Sequence, residues 1–354
     1  MPFQRLPESV QTLYAELLEQ AIHAEAEAAV LGAPPGSFVS KSIKGAVYWY
    51  LQRIEGDRKR QIYLGRESPA LLAWIEAVRE ARSRLEVDES GRARLASMLA
   101  AGGAVTEPAA TGKVLQLLAD SGVFRMGGVL IGTQAFGVYG NMLGVRFDHA
   151  ALRTQDVDLA QDRAIRIALS QETAPIQVEE SLTASGLGFF PVPSLDPRQA
   201  STSFKIRGRE MRVDFLTPLL GRETGEPVFL PSIGVSAHPL RFLDYLIEGP
   251  AQAVVVTGPG LLVNVPDPAR FALHKLWIAG RRPVSEQTKA VKDLRQAGVL
   301  LEVLSEDRPG DLIPAWEALR SHPKAGETVA RGVRNLEPGL RERLEKVLPE
   351  IAVE

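Results

Sequence analysis

Short apolar runs alternate with helical patterns through the middle of the chain, and this alternation restricts the fold more than any other feature. Three runs rich in Val, Leu and Phe cover Val129–Ile131, Asp156–Ala160 and residues 211–216. Runs of this length and composition are typical of strands. Strands separated by helices pack as a sheet with helices against it. The sequence therefore predicts an α/β (α+β) fold, a mixed sheet flanked by helices.

The chain has 354 residues, of which 45% are apolar, and this is enough for two or three globular units. Residues 101–111 are rich in Gly, Ala, Thr and Pro, which is typical of a boundary. We predict an N-terminal helical region with a β-hairpin over residues 1–105, a central sheet domain over 106–235, and a C-terminal, mostly helical domain over 236–354. In the C-terminal domain we predict two short strands over 253–256 and 261–265, followed by helices that include 268–280 and 285–297.

The elements predicted for the N-terminal region follow from periodicity and from helix-start and turn residues. Ser68 and Pro69 have the composition of an N-cap and a first helical residue. The predicted elements are a helix over 8–31 that stops at Gly32, strands over 46–51 and 60–64 joined by a turn at 55–57, helices from 69 to 101 with one break near Asp88, and a new helix after 106–108.

Composition excludes several classes of protein. There is no cysteine for a disulfide or a thiolate, and the five histidines form no close pair that would bind a metal. The N-terminus lacks a signal-peptide pattern, and no apolar run approaches the ~18 residues that cross a bilayer. We therefore expect a cytoplasmic protein that does not enter membranes. Because the net charge is -2, a nucleic-acid partner would require a local basic patch.

Three aspartates are the candidate catalytic residues. Asp156 and Asp158 are two apart on a predicted strand, so their carboxylates leave one face at ~7 Å separation. Residues 204–207 and 211–216 form a predicted hairpin around 208–210, in which Met211, Val213 and Phe215 face the core and Asp214 faces the opposite side with Arg212. A neighbouring strand would thereby add a third carboxylate.

Converging acids are costly without cations, and two Mg²⁺ or Mn²⁺ ions would relieve the repulsion. Such ions activate an attacking oxygen and neutralise a triphosphate, as phosphoryl transfer requires. Gly132 and Thr133 follow a strand and open a helix, so their backbone N–H groups and the hydroxyl can hold a phosphate. Each motif alone is more often structural: a surface carboxylate, or a turn that satisfies backbone geometry. Their order along the chain favours a functional site.

The motifs are LIGTQAF, TQDVDLA and MRVDFLT, and in this order they resemble the signature of the DNA polymerase β-like nucleotidyltransferases. The longer run GVLIGTQAFGVYGNMLGVRF resembles the bacterial GSLR-type family, and the similarity extends from Gly122 to about Leu304. The resemblance implies transfer of a nucleotide from an NTP to an acceptor with release of pyrophosphate. Asp156, Asp158 and Asp214 would be the catalytic and metal-binding residues.

The sequence departs from this family at two points. Threonine stands at 133 where serine is commoner, which keeps the hydroxyl. The interval from Gly132 to Asp156 is longer than in the superfamily, which predicts an insertion over residues 139–153 that forms part of a substrate wall.

Downstream, PDPARFALHKLWIAGRR and TKAVKDLRQA resemble the helical segment of AbiEii-like relatives. By that resemblance Lys275 contacts the triphosphate, and Lys292 and Asp293 help to order the nucleotide site. The alternative is that these are solvated helix residues, with Lys289 and Asp293 forming a surface ion pair four residues apart. His274 is expected to pack or cap.

Acceptor recognition is left open by the sequence. A basic rim around the hairpin can receive an anionic acceptor such as RNA or tRNA, or it can protect a strand edge; it comprises Lys205, Arg207, Arg209, Arg212, Arg146 and Arg153. The N-terminal hairpin joins basic residues to Tyr48, Trp49, Tyr50 and Tyr63, which form a small core or stack on bases; the small core is favoured.

Three functional hypotheses remain at this stage. The first is a metal-dependent nucleotidyltransferase whose acceptor is RNA, a protein or a small molecule. The second is a nucleic-acid-binding or regulatory module that keeps the fold without catalysis, although clustered acids would weaken binding of phosphates. The third is a toxin-antitoxin enzyme that inactivates tRNA by adding nucleotides, as some relatives do.

Overall fold

A computed structural model of the chain describes residues 3–31, 36–55, 58–147, 156–163, 176–194, 196–222 and 225–351. About 50% of residues are helical and 23% are in strands, which fits the predicted α/β class. The strands are β1 Phe3–Arg5, β2 Ser37–Ile43, β3 Ala46–Glu55, β4 Arg58–Arg66, β5 Val129–Ile131, β6 Val145–Phe147, β7 Asp156–Ala160, β8 Phe189–Pro191, β9 Ser203–Ile206, β10 Arg212–Pro218, β11 Val228–Leu230, β12 Val235–Leu240, β13 Ala251–Val255 and β14 Leu261–Val265.

The helices are α1 Glu8–Leu31, α2 Pro69–Ala101, α3 Ala109–Asp120, α4 Gly132–Met142, α5 Val178–Ala184, α6 Leu243–Ile247, α7 Pro268–Ala279, α8 Gln287–Asp307, α9 Pro309–Arg320, α10 Ala325–Val333 and α11 Pro338–Val347. In the described residues, no helix combines the length and the apolar character that crossing a membrane requires.

Within the described residues the central sheet has seven strands, and it places β7 and β10 side by side. Its main order is β11, β12, β10, β7 and β5, and β8 and β9 extend it beside the first half of β10. β7 and β10 are parallel, whereas β5 runs antiparallel to β7. Val157, Val213 and Phe215 are buried, as alternation along the strands predicts. The sheet therefore buries the apolar sides of β7 and β10 and leaves the aspartates on the other side.

The predictions of α1 and of the cap at Ser68 are confirmed. The side chain of Ser68 accepts a hydrogen bond from the N–H of Leu71 at 3.2 Å. The break predicted near Asp88 is wrong, because α2 is continuous. Buried side chains lie at both ends of this helix, from Ile75 and Val78 to Ala96 and Leu99, and packing against α1 holds it together. The predicted stop at Gly32 and the turn residues 56 and 57 lie outside the described residues.

The predicted hairpin of β3 and β4 forms, and β2 joins it as a third strand that the sequence analysis missed. The side chain of Tyr63 is 56% exposed, so the expectation that the aromatic residues form a small core is wrong for this residue. A three-stranded sheet covered on one side only has too little volume to bury all of its aromatic rings.

The C-terminal region is mostly helical, with the predicted strands present as the antiparallel pair β13 and β14. α8 starts two residues later than predicted and continues to Asp307, because Leu300, Leu301 and Leu304 keep its inner side in the core. One hydrophobic cluster joins the central sheet to α7, α8 and the later helices. The buried side chains of α7 and α8 therefore belong to the same core as those of the sheet.

Candidate active site

The register of two parallel strands brings the three aspartates together. Asp214 on β10 lies directly opposite Asp158 on β7, and Arg212 lies opposite Asp156. All four side chains leave the same side of the sheet, because residues two apart on a strand share a face. The predicted convergence of the carboxylates from two adjacent strands is therefore present in the sheet.

Gly132 lies against Asp158 at the point where β5 ends and α4 begins. Ile131 pairs with Asp158 across β5 and β7, so the next residue passes beside the carboxylate. Gly132 has a φ of +65°, and a Cβ atom there would lie 2.3 Å from Oδ2 of Asp158. Only glycine can adopt this conformation and permit this approach without strain. The glycine turn and the acids therefore belong to one site.

The carboxylate of Asp214 is held by two side chains. Nε of Arg212 donates to Oδ1 of Asp214 at 2.7 Å, and Nη2 of Arg212 donates to Oγ of Ser203 at 2.8 Å. The hydroxyl of Ser203 donates to the same Oδ1. Ser203 stands opposite Asp214 in the β9–β10 hairpin. This arrangement fixes the direction of the third carboxylate.

Burial and like charge disfavour ionisation of the two β7 aspartates. Burial, followed by the charges of Asp214 and Asp156, raises the pKa of Asp158 to about 6. Burial and the charge of Asp214 also raise the pKa of Asp156, against the opposing effect of Arg212 and Lys292. Opposite charge would favour the ionised forms. A positive charge placed beside these two carboxylates would therefore lower both pKa values.

Two lysines from the C-terminal helices approach the site. Nζ of Lys292 on α8 donates to Oγ1 of Thr133 at 2.9 Å, at the first turn of α4. The pKa of Lys292 is lowered overall, first by burial and then by the charge of Lys275. The charges of Asp293, Asp158 and Asp156 oppose this shift. The threonine hydroxyl, the start of α4 and a lysine thus lie together beside the acids.

Asp293 is buried between two cations. Its Oδ1 accepts from Nζ of Lys275 at 2.7 Å, and its Oδ2 accepts from Nε of Arg282 at 2.7 Å. The alternative that Lys289 and Asp293 form a solvated pair is wrong, because Lys289 pairs with Glu286 instead. Asp293 lies on the inner side of α8, where it holds Lys275 in place.

Three contributors were missed or underweighted by sequence reasoning. Ser203 could have been found, because a hairpin centred on Gly208 and Arg209 places it opposite Asp214. Lys292 was expected to help order the nucleotide site, but its hydrogen bond to Thr133 was not predicted. Arg282 follows α7 in an irregular segment, and no periodicity marks it as a partner of Asp293.

Other residues singled out in the sequence pack in the core of the protein. His274 is buried, as expected for a packing residue, and burial lowers its pKa to about 3. That residues 139–153 form an insertion stays a prediction. In the structure, Tyr139 is fully buried in α4 and donates to the carbonyl of Pro266 at 2.9 Å, and β6 pairs with β1. These residues complete the core because α4 and β6 pack beside the sheet. Residues 148–153, with Arg153, lie outside the described residues.

The basic rim is present on the described residues of the hairpin. The exposed side chains are those of Lys205, Arg207, Arg209, Arg212 and, on β6, Arg146. Lys205 is close enough to Asp156 to lower the pKa of that carboxyl. A strand edge and an anion-binding rim both have this composition, so the rim alone does not identify an acceptor.

The fold defines an α/β protein with three clustered aspartates on one side of its central sheet. Residues 109–321, more than half of the chain, match the family model described as Nucleotidyltransferase. The chain belongs to this nucleotidyltransferase family. No curated protein and no solved structure matches it significantly. The matched residues include the three aspartates, the glycine turn and the α7–α8 lysines.

Proposed function

We propose that the protein is a Mg²⁺- or Mn²⁺-dependent enzyme that moves a nucleoside monophosphate from an NTP to an acceptor and releases pyrophosphate. Asp156, Asp158 and Asp214 are the proposed metal ligands and catalytic residues. One observation carries the proposal: Asp214 stands directly opposite Asp158 in parallel strands, with the glycine turn against the same carboxylate. The resemblance to the GSLR-type and AbiEii-like families supports it.

The chemistry of the donors fits a hard divalent cation, which prefers carboxylate oxygens. The raised pKa of Asp158 indicates negative charge that the protein itself does not balance. In the described residues no three acidic or histidine side chains are arranged to hold an ion as they stand. Oδ1 of Asp214 accepts hydrogen bonds from Arg212 and Ser203, so an ion at this oxygen would compete with the guanidinium. When bound, the ions supply charge neutralisation for the triphosphate and a lower pKa for the attacking hydroxyl.

The remaining residues have distinct roles in this proposal. The N–H groups at the start of α4 and the hydroxyl of Thr133 bind the triphosphate, and Gly132 permits its close approach. The positive charges of Lys292 and Lys275 offset the negative charge on the oxygens of the leaving pyrophosphate. Asp293 fixes Lys275 through their 2.7 Å hydrogen bond. Asp214, oriented by Ser203, accepts the proton of the acceptor hydroxyl.

RNA or tRNA is the proposed acceptor class. The exposed cations of the β9–β10 hairpin surround the third aspartate, where an acceptor would have to enter. An anionic backbone would be drawn to them despite the net charge of the whole chain. A cytoplasmic protein that modifies tRNA, in a toxin-antitoxin pair or otherwise, fits this description.

The test uses each of the four NTPs, labelled at the α-phosphate, with purified protein, Mg²⁺ or Mn²⁺, and total cell RNA and protein. We expect one macromolecule to acquire label, and Asp156→Ala and Asp158→Ala to abolish the transfer. Asp244→Ala, which removes an exposed acid on α6, is the matched control and should transfer normally. Absence of label with every NTP, or unchanged transfer by Asp158→Ala, would contradict the proposal and favour a non-catalytic binding module.

A further inference from the structure

The three strands β2, β3 and β4 form a sheet apart from the central one, and one of its sides packs on α2. The rings of Phe38 and Trp74 meet edge to face at 5.6 Å, and the guanidinium of Arg79 lies 5.6 Å from the ring of Trp49. Leu51 is buried on the same side. Side chains that alternate with Trp49 and Leu51 therefore point away from α2.

The outward side carries three tyrosines, of which Tyr63 contacts the other two. Tyr48 and Tyr50 are two apart on β3, and a register shift between Trp49 and Tyr50 brings Tyr63 of β4 opposite Tyr50. The ring centroid of Tyr63 is 5.5 Å from that of Tyr50 and 6.2 Å from that of Tyr48. Tyr63 is 56% exposed, which is costly for an aromatic ring that has only a structural role.

A lysine and two amide side chains lie around these rings. Nζ of Lys41 lies 4.9 Å from the ring centroid of Tyr50 and donates to Oε1 of Gln61 at 2.5 Å. Nε2 of Gln61 in turn donates to Oε1 of Gln52 at 2.8 Å. Amides that bridge neighbouring strands hold the surface in shape and offer groups that hydrogen-bond to bases.

The sheet is also the basic part of an almost neutral chain. Residues 37–66 contain seven lysines and arginines and only two acids, whereas the whole chain has a net charge of -2. Such a local excess attracts a polyanion. An apolar partner or a membrane would gain little from the amides and charges that surround the tyrosines.

We infer that the tyrosine face, formed by Lys41, Tyr48, Tyr50 and Tyr63, binds single-stranded nucleic acid by stacking unpaired bases on its rings. Clustered aromatic side chains on an exposed sheet accept any base because every base has a π face. Bases of a duplex are already stacked on one another and cannot be accommodated. The inference rests on the proposed function, since it names single-stranded nucleic acid as the acceptor that this face would hold.

The test measures binding of fluorescein-labelled, single-stranded homopolymeric RNA to the full chain by fluorescence anisotropy at low salt. Tyr63→Ala should weaken binding by about 5- to 150-fold, the range for loss of one base–aromatic stack. Tyr63→Phe keeps the ring and should bind as the wild type does. Phe229→Ala removes a ring that is 58% exposed on β11 and serves as the matched control, with no expected effect.

Competition with unlabelled duplex RNA and single-stranded DNA identifies the feature that is recognised. Single-stranded DNA should compete, because stacking involves the base, and duplex RNA should compete poorly. Equal competition by the duplex, equal binding by Tyr63→Ala and the wild type, or no binding of single strands would overturn the inference. Asp158→Ala should still bind RNA, so failure of nucleotide transfer and failure of this inference are separate results. Matching circular dichroism spectra establish that the variants are folded.

Discussion

Nε of Arg212 and Oδ1 of Asp214 are 2.7 Å apart, so the third carboxylate of the site already has a cation. The two side chains lie on the same face of β10, two residues apart, and that of Arg212 is 44% exposed. A divalent ion at this oxygen would compete with the guanidinium for the same negative charge. Arg212 is thus a competitor of the proposed metal as well as its neighbour.

We expect Arg212→Gln to bind Mn²⁺ more tightly than the wild type, by up to about fivefold. This factor corresponds to the interaction free energy of an exposed ion pair, which is about 1 kcal/mol at most. Electron paramagnetic resonance of free Mn²⁺ measures this affinity without any turnover. Arg209→Gln removes an exposed positive charge from the adjacent turn and controls for net charge. Equal or weaker binding by Arg212→Gln relative to this control would show that the guanidinium does not compete.

Asp158 makes the stability of the metal-free protein depend on pH. Burial raises its pKa from an ordinary 3.8 to about 6 in the folded protein, so the folded state binds the proton more tightly than the unfolded state. The free energy of unfolding therefore decreases as the pH rises from about 4 through about 6. Asp158 restores none of this stability at higher pH. Asp158→Asn removes this penalty.

In the presence of EDTA, Asp158→Asn should melt at a higher temperature than the wild type at pH 8, and the difference should shrink at pH 4. Differential scanning calorimetry measures both. Asp244→Asn, in an exposed position, should show no such dependence on pH. A lower melting temperature for Asp158→Asn at pH 8 would mean that the carboxylate is stabilised by its surroundings, contrary to the raised pKa.

Gly132→Ala should abolish nucleotide transfer, because the added Cβ would lie 2.3 Å from Oδ2 of Asp158 and displace the carboxylate. Gly186→Ala is the matched control: it also has a positive φ, +72°, but a Cβ there has no atom within 4 Å. Both variants should lose about 1–2 kcal/mol for the backbone conformation. Denaturant unfolding should show a larger loss for Gly132→Ala. Full activity in Gly132→Ala would place the reaction away from this turn.

Asp293→Ala should cost about 3–5 kcal/mol of unfolding free energy, since it leaves Lys275 and Arg282 without their shared, buried acid. Glu286→Ala breaks more exposed pairs with Arg282 and Lys289 and should cost about 1 kcal/mol or less. Urea unfolding compares the two variants. A similar, small loss in both would indicate that Asp293 is readily hydrated and does not fix Lys275.

The sequence by itself determined the elements that carry the chemistry. Alternation around Asp156, Asp158 and Asp214 predicts which side chains are buried, because a strand has a strict period of two. The glycine before Thr133 predicts a strand-to-helix turn for a similarly local reason. The continuity of α2 past Asp88 was not predictable in this way, because it depends on packing against α1.

Only the tertiary structure decided which residues meet. Spacing along the chain does not show that β7 and β10 are neighbours, nor that the register sets Asp214 opposite Asp158. Lys292 and Thr133 are 159 residues apart, and Arg282 reaches Asp293 only when α7 and α8 pack together. Local sequence sets the direction of each side chain, whereas burial of one shared core fixes the distances between them.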